Sequence, residues 1–180
     1  MTPTSHHPAI RILHWIIAAI VLAALGMSLL VMPRLSNSDP AKVTALLRHM
    51  SAGGLVLLFA SLRLFVRRKA RRPPALSSGM AWADRLASAM HPFLDGLVIV
   101  MIGSGIGMAV LAGLPAIVFG GHGHLPARFD TLPLHSVHAM TARLLIAALV
   151  LHVGGGLFHH FILRDGLLSR MGLASGKAGG

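Results

Sequence analysis

The chain has 180 residues, 54% of them hydrophobic and 12% charged, with a formal net charge of +11, no cysteine and no tyrosine. Charged residues make up about a quarter of an ordinary soluble domain, so this is the composition of a membrane protein, and its length suits one domain over residues 1–180. The positive balance does not point to nucleic acid, which calls for a polar fold with stacking aromatics, and the lack of cysteine excludes disulfides, iron–sulfur clusters and thiolate ligation of haem.

A spanning helix needs about 20 mostly apolar residues, and four segments supply them. The first, Ile12 to Met32, is 21 residues long, carries no charge and has His14 as its one strongly polar group. It exceeds the roughly 7–15 residues of a secretory h-region, and no small-x-small cleavage site is obvious after it, so it reads as a mature helix. A short connection, Pro33 to Ala45, leads to the second segment, about Leu46 to Val66, whose Arg48 and Arg63 lie near its ends, where long side chains snorkel to headgroups. The third, about Pro92 to Phe119, holds Asp95 near its start and then runs uncharged from Gly96. A connection rich in Gly, Pro and His, about Gly120 to Pro133, precedes the fourth, about His135 to Leu163. The expected fold is an all-α membrane protein, a four-transmembrane-helix bundle.

The cations orient it. Arg11, Arg63, Arg67, Arg68, Lys69, Arg71, Arg72, Arg85, Arg164, Arg170 and Lys177 fall on one side, against Arg34, Lys42, Arg48, Arg128 and Arg143 on the other. The positive-inside rule then puts both termini in the cytoplasm.

The twelve histidines are the anomaly, because an imidazole within a bilayer is costly and usually functional. At 1.5 Å per residue, His14 lies near the cytoplasmic start of the first helix, while His49 and His138 lie near the outer starts of the second and fourth. His152 follows His138 by fourteen residues, about 21 Å of rise and roughly 40° of net rotation, so the two share a face. Two level pairs result, His49 with His138 and His14 with His152, and opposed imidazoles at equal depth supply the two axial ligands of a six-coordinate haem. Two haems stacked along the bundle follow, with four polar rings satisfied by ligation. Gly53 and Gly54 after His49, and Gly154, Gly155 and Gly156 after His152, allow close approach of a macrocycle, or equally close helix packing. His135 competes with His138 for the outer position, and His159 with His152 for the inner one. His122, His124 and His135 lack a carboxylate or thiolate to complete a metal shell and read as a solvated loop; His6 and His7 carry no weight.

The stretches Leu13-His14-Trp15, Arg48-His49-Met50-Ser51-Ala52-Gly53, and His138 through His152 to the doublet His159-His160 resemble the bacterial cytochrome b561 family, in particular its small stand-alone four-helix members, over about His7 to Arg170. The resemblance implies two b haems on His14, His49, His138 and His152, and a place in the bacterial inner membrane. Among such members is a superoxide oxidase that passes electrons from superoxide at the outer face to ubiquinone near the inner face. Other relatives are electron-transfer subunits that dock to dehydrogenases and hydrogenases. Arg143 within the fourth helix and the Gly-rich second outer loop depart from the pattern.

On the superoxide reading, Arg34, Lys42, Arg48 and Arg128 form a basic outer surface that draws a small anion toward the haem edge; Arg48, beside His49, serves equally as a partner for a haem propionate. Quinone reduction needs an acid or base near the inner haem. His159 lies seven residues beyond His152, almost on its face and about 10 Å nearer the cytoplasm. His91 and Asp95, four apart, form a possible histidine–carboxylate relay or an interfacial polar pair. His160 turns toward headgroups, Trp15 and Trp82 suit interfacial anchors, and the methionines are core or lipid-facing. Two further functions compete with the enzyme: a carrier serving a partner redox protein, and a non-redox, histidine-lined bundle or transporter, for which no inverted repeat is visible.

Overall fold

The computed structural model describes residues 7–70 and 80–172; Arg71, Arg72, Lys177 and His6 lie outside the described residues. Six α-helices follow one another among them: α1 (Pro8–Gly26), α2 (Pro40–Lys69), α3 (Ala81–Leu111), the short α4 (Leu114–Val118), α5 (Pro133–Phe158) and the single turn α6 (Leu167–Arg170). Helix α1 is prolonged by a π-turn, Met27–Val31, and a 3-10 turn, Met32–Arg34; a second π-turn, His159–Leu163, follows α5. With those turns α1 and α5, together with α2 and α3, give four helices long and apolar enough to cross a membrane.

The starts of these helices are written in short-range chemistry. Pro8, Pro40 and Pro133 occupy first-turn positions, where a missing N–H costs nothing. The His7 ring and the Asp39 carboxylate accept from the backbone N–H of Ala9 and Ala41, at 3.2 and 2.8 Å. Arg67, Arg68 and Lys69 end α2, where cations complement the helix dipole.

The helices outrun the apolar segments expected from sequence. The second begins at Pro40, not Leu46, so Lys42 belongs to its first turn and not to a loop. The third begins at Ala81, with Pro92 accommodated inside it. Its other end falls short: the helix stops at Leu111, and Gly113 turns the chain at φ 62° into α4. A left-handed residue cannot continue an α-helix, and glycine takes that conformation without a Cβ clash.

Helix α1 packs on α2, α3 on α5, and α2 bridges the two pairs. The up-and-down course leaves the start of α1 and the end of α6 at one end of the bundle, here the terminal end, with α4 and the 33–39 and 119–132 connections at the opposite, distal end. Asn37 joins those two connections by donating from Nδ2 to the Pro126 carbonyl at 2.8 Å. The buried core is thin: Leu46, Ala109, Leu114 and Val118 near the distal end, Leu97, Leu145 and Ala148 at mid-height. Large apolar side chains such as Leu58, Ile99, Val150 and Leu151 face outward, each about 60% exposed or more, as a lipid-facing surface requires.

Candidate functional site

At the distal end α2 carries His49 and α5 carries His138, with ring centroids 6.2 Å apart and ring planes crossing at 76°. At the terminal end α1 carries His14 and α5 carries His152, again 6.2 Å apart, with planes crossing at 68°. The structure thus brings together both pairs expected from helix rise. A metal–imidazole nitrogen bond is about 2.0–2.1 Å and the ring centroid lies roughly 1.1 Å behind that nitrogen, so an imidazole–metal–imidazole sandwich spans about 6.2–6.4 Å between centroids. Both pairs have that span.

The protonation of the distal pair suits ligation. His138 Nδ1 stands 3.1 Å from the Met101 carbonyl and 3.0 Å from Ser104 Oγ. A carbonyl only accepts, so Nδ1 carries the proton and Nε2 keeps the lone pair that a metal needs. The Ser104 hydroxyl donates to the Val100 carbonyl at 2.8 Å, which leaves its oxygen free to accept from His138. On the opposite ring, His49 Nδ1 lies 3.3 Å from Ser28 Oγ, a side chain placed by the π-turn that interrupts the first span. Irregular turns of this kind recur at functional sites.

Space is distributed to match. A Cβ at Gly53, one turn from His49 on nearly the same face, meets nothing within 4 Å, whereas a Cβ at Gly105 on α3 comes within 3.2 Å of His138 Cε1. Gly105 therefore makes room for the ring, and a side chain at Gly53 would stand in open space. The donor set, its tautomer and this room fit a planar macrocycle held between two imidazoles.

The terminal end differs from expectation in detail. His91 does not pair with Asp95. The Asp95 carboxylate is taken by Arg63 on one oxygen and by Arg67, at 3.2 Å, on the other, because guanidinium groups on the facing α2 fit a carboxylate better than an imidazole one turn away. The His91 ring lies instead edge-on to His152, with centroids 5.2 Å apart, and remains exposed at the rim. Arg63 is thus an ion-pair partner and not a snorkelling residue.

His159 is engaged by Asp165: its Nδ1 lies 2.5 Å from Asp165 Oδ2, and both side chains are largely buried, 12% and 17% exposed. Sequence reasoning did not single out Asp165, nor the hydroxyls of Ser28 and Ser104. His160 is exposed and packs on Phe161 at 4.7 Å. Trp15 donates from Nε1 to the Met171 carbonyl at 3.1 Å and so ties α6 to α1, beyond a purely interfacial role.

Of the distal cations, Lys42 is no part of an exposed basic surface. Its ammonium is buried and donates to the Met32 and Leu35 carbonyls at 2.7 and 3.3 Å, satisfying acceptors orphaned where the first span ends. Arg128 is paired with Asp130 at 2.5 Å. Arg34 and Arg48 are exposed, and Arg48 makes no hydrogen bond or ion pair among the described residues. His122 and His124 lie in an exposed loop, and among the described residues no group of three or more His, Cys, Asp or Glu is arranged to hold a metal ion.

A family model described as prokaryotic cytochrome b561 matches residues 5–173. No curated protein and no solved structure matches the chain significantly.

Proposed function

This chain belongs to the prokaryotic cytochrome b561 family, and on that premise we propose that it is a di-haem cytochrome oxidising superoxide at the distal end and reducing ubiquinone near the terminal end. Membership makes it a membrane cytochrome b of electron transfer. In the proposal His49 and His138 hold one haem, His14 and His152 the other, and the terminal end faces the cytoplasm of a bacterial inner membrane, as the cation count suggests. The observation that carries it is the pair of imidazole couples with ring centroids 6.2 Å apart, one toward each end of α5.

Bound between those rings, haem b supplies reversible one-electron transfer. The protein does the rest. Met101 and Ser104 fix the His138 ring, and Ser28 faces His49. Arg34 and Arg48 attract an anion to the distal end, and Arg48 serves also to neutralise a propionate. At the terminal end His159, buried and hydrogen-bonded, holds a proton for the quinone, while His91 borders His152. Anaerobic mixing of oxidised protein with a superoxide source tests the reading. Haem absorbance should report reduction, and ubiquinone should reverse it; haems unresponsive to superoxide would defeat it.

One observation favours a second reading, a cytochrome subunit serving a partner. Arg143 is exposed and lies five residues, about 140° of rotation, from His138. It makes no ion pair among the described residues, so an acidic partner helix would satisfy it. Co-isolation of such a partner from native membranes, with superoxide inactive, would establish this alternative.

A further inference from the structure

The α-helix α5 ends at Phe158 and its last stretch loosens into the π-turn His159–Leu163. The chain then reverses through Arg164, at φ 52°, and Gly166, at φ 76°. Among the described residues Arg164 is the sole non-glycine with positive φ, a conformation that a branched or long side chain adopts only when its surroundings impose it. The reversal returns Asp165 to His159. One carboxylate oxygen accepts from His159 Nδ1 at 2.5 Å and the other from the Leu167 N–H at 3.0 Å, so the carboxylate cannot rotate away. Helix α6 is itself fastened, Leu168 near Gly156 and the Met171 carbonyl to the Trp15 indole.

We propose that Asp165 is the positioning residue of a histidine–aspartate proton-transfer dyad: it holds His159 with Nδ1 protonated and Nε2 as the free nitrogen that delivers protons to a quinone. This rests on the quinone reading above. A carboxylate at Nδ1 sets the tautomer and offsets the positive charge of the ring whenever Nε2 also carries a proton. Reduction of one ubiquinone to ubiquinol takes two electrons and two protons. The electrons come from two superoxide anions, each oxidised to dioxygen at the distal end. Each proton leaves Nε2 for a quinone oxygen, breaking an N–H bond and forming an O–H bond, and water at the terminal end reloads the ring. A dyad that only capped the chain reversal would need no charge, because the Leu167 N–H requires nothing more than an acceptor.

Asp165→Asn separates the two. The amide oxygen still accepts from Leu167, but its NH2 meets His159 Nδ1 and demands the opposite tautomer. The test is anaerobic reoxidation of the prereduced holoprotein by a short-chain ubiquinone, in H2O and D2O, after haem content and spectra have been checked. The maximal rate should fall about ten- to hundredfold, with KM changed less than about twofold. The solvent isotope effect should rise, and Asp165→Glu should restore much of the rate. If Asp165→Asn loses haem, Asp165→Ser, which keeps an acceptor for Leu167, takes its place with the same expectation. Wild-type rate and isotope effect in the variant would reduce Asp165 to a cap and leave the quinone reading intact. Failure of the unmodified protein to be reoxidised by quinone would overturn both.

Discussion

Asp95 on α3 and Arg63 on α2 are bound to each other across the helix interface, and Arg67, one turn further along α2, takes the second carboxylate oxygen. Neutralising Asp95 leaves two guanidinium groups, 18% and 31% exposed, facing each other without an anion. Asp95→Asn should lower stability by about 1–2 kcal/mol, less than the loss for a fully buried pair because water still reaches the site. Thermal unfolding in detergent, followed by haem absorbance, should show a midpoint a few degrees lower, whereas an unchanged midpoint would mean that the two arginines are solvated independently.

Haem stoichiometry should follow the two imidazole pairs. His49→Ala or His138→Ala is expected to leave one haem per chain, as is His14→Ala or His152→Ala, while His135→Ala and His159→Ala retain two. A pyridine haemochrome count decides each case. Retention of two haems in His14→Ala would implicate His91, whose ring lies nearer His152 than does that of His14.

Two glycines on one helix offer an internal control. A Cβ at Gly105 comes within 3.2 Å of the His138 ring, but at Gly103 it meets nothing within 4 Å. Gly105→Val should therefore displace the ring and, on the di-haem proposal, empty the distal site selectively, and Gly103→Ala should be neutral or stabilise by about 0.4–1 kcal/mol through the unfolded chain. Equal haem loss in both would remove the steric explanation.

On the proposed superoxide reading, steering of the anion falls to the exposed Arg34 and Arg48 and not to the buried Lys42. Arg48→Gln should slow haem reduction by superoxide and flatten its dependence on ionic strength. Lys42→Met should leave that salt dependence unchanged while destabilising the fold by about 1–3 kcal/mol, since the Met32 and Leu35 carbonyls lose their donor. Stopped-flow reduction at several salt concentrations reads the first effect and thermal unfolding the second.

The parts legible in sequence were those that depend on helix rise alone. His14, His49, His138 and His152 fall into level pairs because a straight helix converts residue number into depth, and no knowledge of inter-helix register is needed to see it. What escaped needed such knowledge, or a departure from regular helix. The partner of Asp95 lies on another helix, and its nearest titratable neighbour in sequence, His91, was the wrong candidate. Asp165 reaches His159 only through a π-turn and a left-handed residue. The break at Gly113 falls inside an unbroken apolar run, where hydropathy carries no signal. Lys42 sits in a stretch too polar to be counted with its helix, although Asp39 and Pro40 mark the true start.

The π-turn at Met27–Val31 is one residue more than an α-helix needs over that length. Every side chain beyond it is swung by about 100° relative to a regular continuation, and Ser28 sits within it, facing His49. Removing a single residue there should therefore rephase the distal end of the first span without unwinding it. Two sequences differing by that one residue would place different side chains against the same imidazole, and the indel that separates them would fall inside a transmembrane helix, where aligned positions would share a column but not a direction.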